Sequence, residues 1–322
     1  MNNIKNDNIK IIRAVSCAMI LLTHFGSTIL PLPFLSTFFT YCAEGVRAFF
    51  ILSGYLMCFS KELHDGQVIA YYKKRIRRIL PVYLFIVIIL FALGIINIIS
   101  WPYDETGLYW LRYFLFLSTS VPSKEVYWTN LAMTWTVSYF IFFYLIAPVI
   151  HKVISSFRNA WIAVILSMSY SKILPDGWLE PMKGLYAFLL GIAIYYAIRE
   201  NKEYINIIIC SAIAFLFYIH GIAYPYGDTF LISIVILSML KTNVSFKHIM
   251  MATIIDFIDK HSYSIYLMQG LVITVVTACL GEMKMILGWI LLIGTIVIAY
   301  LFDLISDSIS YRKYLYEKSD NK

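Results

Sequence analysis

Residues 9–30 read IKIIRAVSCAMILLTHFGSTIL, and this stretch decides the fold class. It is long enough to cross the hydrocarbon core of a bilayer, which takes about 20 mostly apolar residues in a helix. It contains Arg13 and His24, and no small-residue cleavage site follows it, so it does not have the pattern of a cleaved signal peptide. We therefore predict that it stays in the protein as a membrane-spanning helix.

Apolar blocks of similar length recur along the rest of the chain. Of the 322 residues, 60% are hydrophobic and only 14% are charged, whereas roughly a quarter of a soluble domain is charged. We predict an all-α, polytopic integral membrane protein that forms one transmembrane domain over residues 1–322, with about ten helices and a short C-terminal tail at 306–322. The predicted spans are residues 10–30, 45–60, 79–99, 130–150, 159–174, 184–198, 204–221, 228–241, 262–281 and 285–305. The short apolar segment 108–119 is predicted to be interfacial or re-entrant.

Lysine and arginine predict the orientation of these spans. With the N-terminus in the cytoplasm, 20 of the 26 Lys and Arg residues fall on the cytoplasmic side, and the opposite orientation inverts that ratio. Both termini are therefore predicted to be cytoplasmic. The net charge of +7 reflects this bias and does not indicate nucleic acid as a partner.

Two ionisable residues share one stripe of the first helix. Arg13 and His24 are eleven residues apart, a spacing that returns to within about 20° of the same face over a rise of about 16 Å. Charged groups at membrane depth cost free energy, so they indicate a functional site. The alternatives are that Arg13 extends to the interface and that His24 makes an ordinary polar contact between helices.

The second span holds two further polar pairs. Glu44 and Arg47 are three residues apart and are predicted to pair at the outer mouth. Ser53 adds a hydroxyl next to Gly54, whose missing side chain permits close approach of another backbone. In a membrane helix, Ser-Gly by itself usually indicates packing.

The loop after the second span is strongly basic. Five of the six residues at 73–78 are cationic, which is more than membrane topology requires. Such a density is typical of a site for a polyphosphate ligand or for anionic lipid. The cationic residues are Lys73, Lys74, Arg75, Arg77 and Arg78.

An aromatic loop at residues 100–129 is predicted on the outer side. It contains Trp101, Trp110 and Trp128 together with Asp104 and Glu105. Aromatic rings beside carboxylates suit stacking on sugar rings, but they equally suit a belt at the membrane interface. No His, Cys or acidic spacing predicts a metal site, and the cysteines form neither a zinc pattern nor a disulfide framework.

Three motifs in order resemble the acyltransferase-3 family of membrane O-acyltransferases. They are Arg13-x10-His24, Phe49-Phe50-x-x-Ser53-Gly54, and Arg75-x-x-Arg78 followed by Pro81. Two weaker elements extend the resemblance over residues 8–305: Trp135…Tyr144…Pro148, and Ser262-Tyr263-Ser264-Ile265-Tyr266-Leu267. The chain departs from the family pattern at three positions, where acidic residues and a histidine are common. These positions hold Phe140, Ile141 and Gln269.

The resemblance implies transfer of an acyl group, most often acetyl, from cytoplasmic acyl-CoA to a hydroxyl of a cell-envelope polysaccharide or lipid-linked glycan. It implies a bacterial inner-membrane location, acetyl-CoA as donor substrate and no permanently bound cofactor. His24 would act as general base or as a transient acyl carrier, with Arg13 beside it. The donor would bind Lys74, Arg75, Arg77 and Arg78 with Ser53 and Gly54, and the acceptor would bind Glu44, Arg47 and Trp135. No extracytoplasmic hydrolase-like domain is expected.

Two other functional classes remain open from the residues alone. Several spans with buried charges also suit a transporter or exporter of a glycan or small solute, which would carry out no acyl transfer. We find no convincing internal repeat, however, and the ionisable residues concentrate in the first 81 residues. A structural protein that binds anionic lipid would explain the basic loop but not Arg13 and His24.

Overall fold

The computed structural model describes residues 3–99, 109–116, 133–173, 180–221, 226–242, 249–280 and 285–319. Within these ranges the chain is helical and contains no strand. The α-helices are α1 (Asn3–Ile29), α2 (Ser36–Tyr41), α3 (Gly45–Met57), α4 (Lys61–His64), α5 (Val68–Ile95), α6 (Tyr109–Phe114), α7 (Trp135–Val153), α8 (Phe157–Ile173), α9 (Glu180–Lys183), α10 (Leu185–Arg199), α11 (Glu203–Ile219), α12 (Asp228–Lys241), α13 (Ile249–Leu280) and α14 (Met285–Ser319).

Seven helical segments of the described chain are long and apolar enough to cross a membrane. They are Asp7–Ile29, Pro33–Met57, Val68–Ile95, Trp135–Val153, Pro181–Arg199, Met250–Leu280 and Met285–Ser308. The three other predicted spans fall on helices α8, α11 and α12, which have 17, 17 and 14 residues. The all-α membrane fold is thus confirmed, while the count of ten and the cytoplasmic termini stay predictions.

Several helices extend beyond the boundaries that hydropathy predicts. The second membrane segment begins at Pro33 instead of residue 45, because short helical turns and α2 precede α3. The basic residues 73–78 lie within α5 and not in a loop, and helix α14 continues through the predicted tail to Ser319. Hydropathy marks the part of a helix that matches the hydrocarbon core, whereas backbone hydrogen bonding continues into the interface.

Helices α3 and α10 form the closest helix pair at the centre of the fold. Gly54 faces the carbonyl oxygen of Phe188, and Gly191 faces the carbonyl oxygen of Ile51. A Cβ atom at either glycine would overlap the facing backbone. Small residues allow such an approach in membrane proteins, where van der Waals packing largely replaces the hydrophobic effect between helices. We call this contact the α3–α10 seam.

Helix α1 lies parallel to α13, in a register that polar contacts fix. The Nζ atom of Lys10 donates to Asp256 at 2.8 Å, and the Nη1 atom of Arg13 donates to Asp259, also at 2.8 Å; both pairs are 246 residues apart. One turn further along, the Sγ atom of Cys17 lies 3.7 Å from the carbonyl oxygen of Ser262, a separation of 245. A residue of α1 therefore lies at the depth of the residue about 246 positions later.

The predicted interfacial segment contains the short helix α6. Its Tyr113 is buried, and the carbonyl oxygen of Tyr113 accepts a hydrogen bond of 2.5 Å from the hydroxyl of Tyr83 on α5. The rings of Tyr113 and Phe114 also contact Phe91. The rest of the predicted outer loop, including the side chains of Trp101, Trp110 and Trp128, lies outside the described residues.

Candidate active site

A cleft with about 760 Å³ of empty space, part of it open to solvent, lies between α1, α3, α5, α7 and α13. Helices α1 and α13 form one wall, and α3, α5 and α7 form the others. The cleft is lined by Arg13, Ile20, Val46, Phe49, Leu52, Ser53, Leu56, Arg75, Arg78, Ile79, Thr136, Phe140, Tyr144, Ser262, Tyr263 and Tyr266.

Three guanidinium groups line one end of this cleft. Arg75 and Arg78 come from neighbouring turns of α5, and Arg13 reaches them from α1. Arg75 lies between the rings of Tyr71 and Tyr144, with its guanidinium carbon 5.2 and 5.1 Å from the two ring centres. Its Nε atom is buried and has no hydrogen-bond partner. This end of the cleft therefore presents guanidinium donors to a ligand and would favour an anion.

Only one of these guanidinium groups is neutralised by a described carboxylate. Arg13 forms an ion pair of 2.8 Å with Asp259, and the two side chains are 20% and 14% exposed. Arg78 is close enough to add its positive charge to the electrostatic environment of both members of the pair. Neither Arg75 nor Arg78 forms an ion pair with a carboxylate in the described chain. The guanidinium end of the cleft therefore keeps an excess of positive charge.

The walls of the cleft beyond the guanidinium end are largely apolar. Phe49 and Leu52 of α3 face Phe140 and Tyr144 of α7. The rings of Phe140 and Tyr144 stack with their centres 6.1 Å apart. Phe140, which replaces a common acidic residue of the family pattern, thus makes this wall apolar. Such a channel accommodates an extended and mostly uncharged chain.

Beyond the apolar walls, two side-chain hydroxyl groups lie at the depth of Ile20. The hydroxyl of Thr136 on α7 donates to the hydroxyl of Tyr266 on α13 at 2.8 Å, and the Tyr266 hydroxyl donates to the carbonyl oxygen of Met133 at 3.0 Å. Tyr266 is 246 residues after Ile20 and therefore lies at its depth. The cleft thus runs from the arginines to a pair of hydroxyls.

His24 lies one turn beyond this end of the cleft. The cleft-lining residues of α1 are Arg13 and Ile20, and the spacing of eleven residues from Arg13 places His24 on the same stripe. His24 itself does not line the cleft. Its side chain is exposed, and it makes no hydrogen bond or ring contact with the residues that the structure describes. The imidazole is therefore not engaged by another group of the described chain.

Two predicted site residues pack in the core instead of lining the cleft. Gly54 faces α10 at the seam, although the adjacent Ser53 lines the cleft. Trp135 packs edge-on against Phe50 and Tyr139, at 6.1 and 5.0 Å between ring centres. Because successive helical residues point about 100° apart, neighbours in one motif face different surroundings. The structure thus places both residues in packing positions.

Glu44 and Arg47 form the predicted pair, but not at an exposed mouth. The Glu44 carboxylate is buried, accepts a short hydrogen bond from Arg47 and lies 3.4 Å from the hydroxyl of Thr229. Thr229 in turn contacts the hydroxyl of Tyr186 at 3.1 Å. This polar cluster lies among α3, α10 and α12, apart from the cleft. Glu44 lies in a short helical turn before α3 that packs against α1 and α12, an arrangement that hydropathy did not predict.

Lys74 and Arg77 also lie outside the cleft. Lys74 donates to Glu62 at 2.7 Å, and this hydrogen bond, with help from a backbone group and Ser60, lowers the pKa of the Glu62 carboxyl to about 2. Arg77 lines a second groove, of about 580 Å³, beside the guanidinium end of the cleft. Arg78 and Tyr263 line both cavities. The predicted basic group thus divides between two neighbouring cavities and the surface.

The structure adds residues that sequence reasoning missed. Asp259 partners Arg13, and Thr136 and Tyr266 form the hydroxyl pair. His261 is buried, with its Nδ1 atom 2.5 Å from one carboxylate oxygen of Asp303, while Ser264 donates to the other carboxylate oxygen at 2.5 Å. A signal was present for Asp259, because it is a charged residue three positions before the Ser262 motif.

Comparison with known proteins identifies the family of this chain. A family model described as an acyltransferase domain, of the acyltransferase-3 type, matches residues 6–304. The chain belongs to this acyltransferase family. Searches among curated proteins and among solved structures found no significant match. The family match covers all five helices that line the cleft, so the cleft is the candidate active site of a membrane acyltransferase.

Proposed function

We propose that this acyltransferase moves an acetyl group from cytoplasmic acetyl-CoA to a hydroxyl of a cell-envelope glycan or its lipid-linked precursor. The observation that carries the proposal is the polarity of the cleft. Three guanidinium groups stand at one end, an apolar channel follows, and a pair of hydroxyls with an uncommitted imidazole lies beyond it. An acyl-CoA has the same order of groups: phosphates, a long arm and a reactive thioester.

The donor is proposed to enter with its phosphates at Arg13, Arg75 and Arg78. Guanidinium groups bind phosphate oxygens through charge-assisted hydrogen bonds, and the buried Nε atom of Arg75 still lacks a partner. The pantetheine arm would lie between Phe49 and Tyr144, where the cleft has few charges. Ser53 would donate a hydrogen bond to one of the amide carbonyls of that arm.

The transfer itself is proposed to use His24 as general base. The imidazole takes the proton of the acceptor hydroxyl while that oxygen attacks the thioester carbonyl carbon. The tetrahedral intermediate collapses, the bond from carbon to sulfur breaks, and the CoA thiolate leaves. The imidazolium returns its proton to that thiolate, so the products are an O-acyl ester and CoA with a free thiol. A variant of this route has His24 carrying the acyl group between two transfers.

The acceptor and the location rest on the family resemblance. We propose a glycan hydroxyl that reaches His24 from the side opposite the arginines, in a bacterial inner membrane whose cytoplasmic face holds the donor. The buried Glu44–Arg47 cluster is separate from the cleft, so in this proposal it shapes the acceptor side indirectly. Membrane lipid is the remaining expected partner, and nucleic acid is not expected.

The direct test compares wild type, His24→Ala and His151→Ala in a host that makes candidate surface glycans. His151 is a matched control, because it lies on the spanning helix α7 but lines a different cavity beside His64. With equal membrane levels, mass spectrometry of the purified glycan should find O-acetyl with wild type and His151→Ala and none with His24→Ala.

Each of the other outcomes has a definite meaning. Equal acetylation by all three proteins would show that His24 is structural and that the mechanism is wrong. A folded wild type that acetylates none of the glycans would contradict the proposed donor and acceptor. Binding of radiolabelled acetyl-CoA to the purified protein would then separate a wrong acceptor from a wrong donor.

A further inference from the structure

Gln269 has a buried amide group for which the fold provides no partner. Its side chain is on helix α13 and is only 1% exposed. Neither its Oε1 nor its Nε2 atom has a hydrogen-bond partner. An unpartnered polar atom in the protein interior loses its hydrogen bonds to water without replacing them, which costs free energy of folding. Because both ends of the amide are unpartnered, exchanging the oxygen and nitrogen in the assignment does not remove this cost.

The register of α1 against α13 places Gln269 at the same depth as His24. Contacts between the two parallel helices join residues 245 or 246 positions apart. Gln269 therefore lies at the depth of residue 23 or 24, within about one helical rise of 1.5 Å from His24. The reactive imidazole and the unpartnered amide thus occupy the same level of the membrane domain.

Gln269 also continues the face of α13 that lines the cleft. Ser262 and Tyr266 of that helix line the cavity. Seven residues return to within about 20° of the starting direction, so Gln269 follows Ser262 on this face. On α1, His24 follows Arg13 and Ile20 in the same way. The cleft-lining faces of the two helices therefore continue one turn past the cavity, to an imidazole on α1 and an amide on α13 that do not themselves line it.

We propose that Gln269 is a substrate-contacting catalytic residue that binds the carbonyl oxygen of the transferred acyl group. Its amide N–H donates to this oxygen, which gains negative charge when the acceptor hydroxyl attacks. Its Oε1 atom is left to accept a hydrogen bond from a hydroxyl of the acceptor. The bound substrates thus supply the hydrogen-bond partners that the protein itself does not provide for this amide. The proposal rests on the proposed function, because it requires an acyl carbonyl beside His24.

This role predicts opposite effects on stability and on catalysis. Gln269→Leu removes the unpartnered amide but keeps the approximate volume, so the thermal midpoint of the purified protein should stay the same or rise. The turnover number for acetyl transfer should fall at least 100-fold, since loss of one such donor typically costs 10²–10³ in rate. The affinity for CoA should change less than twofold, because the arginines lie several turns away.

Two further variants separate this role from a structural one. Gln269→His keeps a ring N–H donor at a similar reach and should recover a measurable part of the turnover that Gln269→Leu loses. Thr295→Val removes another buried and unpartnered side-chain atom, Oγ1 of Thr295, on helix α14 away from the cleft. That control should match the stability gain of Gln269→Leu without any loss of turnover.

The experiment measures thermal midpoint, CoA affinity and acetyl transfer for wild type and these three variants in detergent. An active wild type with a Gln269→Leu variant that keeps more than a third of its turnover would overturn this inference alone. A Gln269→Leu variant with a lowered thermal midpoint would also overturn it, because the amide would then be structural. A wild type that transfers no acetyl group from acetyl-CoA would overturn the proposed function, and this inference with it.

Discussion

Ser53 and Gly54 are neighbours in one motif, yet they belong to two very different surfaces of α3. Gly54 is in the α3–α10 seam, where backbones touch and a Cβ atom has no room. Ser53 lines the cleft, where about 760 Å³ is empty. At the seam, α3 packs tightly against α10, and another face of the same helix forms a wall of the cleft. The comparison teaches that a motif of adjacent residues can hold a packing position and a binding position together.

The largest effect is expected from filling the seam. Gly54→Val should destabilise the protein by about 3 kcal/mol or more, because the new side chain meets the backbone of Phe188, which cannot move aside. We expect little folded protein by size-exclusion chromatography of the solubilised membrane fraction. Gly294→Ala is the matched control, since a Cβ atom there meets nothing within 4 Å. Normal yields of Gly54→Val would show that the seam is not tight.

A smaller effect on the free energy of unfolding is expected at the guanidinium end of the cleft. Asp259→Asn leaves Arg13 without its partner and should cost about 2 kcal/mol of unfolding free energy, since both groups are largely buried. The added positive charge should at the same time tighten CoA binding at low salt. Asp256→Asn breaks the exposed pair with Lys10 and should change both quantities little. Equal effects of the two variants in thermal unfolding would contradict a special role for Asp259.

The cleft face of α3 should tolerate a large side chain, whereas the seam should not. Ser53→Phe places a large ring in empty space, so the protein should fold normally while CoA affinity falls about tenfold, or about 1.4 kcal/mol. Ser53→Ala, the small counterpart, should lose at most a few-fold in affinity. Isothermal titration with CoA measures both variants. Unchanged affinity of a folded Ser53→Phe variant would exclude this part of the cleft as the donor site.

The smallest effect is expected at the surface pair of Lys74 and Glu62. The folded pKa of Glu62 is depressed to about 2 from an ordinary value near 4.5. Its contribution to stability is therefore present above pH 4.5 and is lost as the pH falls towards 2. Because Lys74 is 67% exposed, solvent screening limits that contribution to less than about 1 kcal/mol. Glu62→Gln should remove this pH dependence in thermal unfolding and leave stability nearly unchanged only at about pH 2 and below.

The first helix shows which features of the candidate site can be predicted from local sequence spacing. The eleven-residue spacing of Arg13 and His24 defines one stripe, and the structure places Arg13 and Ile20 of that stripe on the cleft. The i,i+3 spacing of Arg75 and Arg78 likewise brings both to the same cavity. Residues of one stripe share a face because helical periodicity is a local property of the backbone, while the catalytic role of His24 stays a prediction.

The surroundings of Asp259 and Gln269 could not be predicted from helical spacing. Asp259 is 246 residues from Arg13, and nothing in the intervening chain records that α1 and α13 lie side by side. The sequence marks Gln269 only as a departure from the family pattern, and the structure alone shows that its buried amide has no hydrogen-bond partner. Both facts depend on packing between distant helices, which a single sequence does not specify.

The sequence by itself determined the all-α membrane fold, the acyltransferase family and the helical stripes that carry the charged residues. These follow from apolar run length, from motif order and from the 3.6-residue period, each of which is read along the chain. The tertiary structure alone decided which neighbour each stripe meets: a cleft for Ser53, a backbone for Gly54, a carboxylate for Arg13. The physical reason is that periodicity fixes the angle of a side chain around its helix, whereas only the packing of helices fixes what lies at that angle.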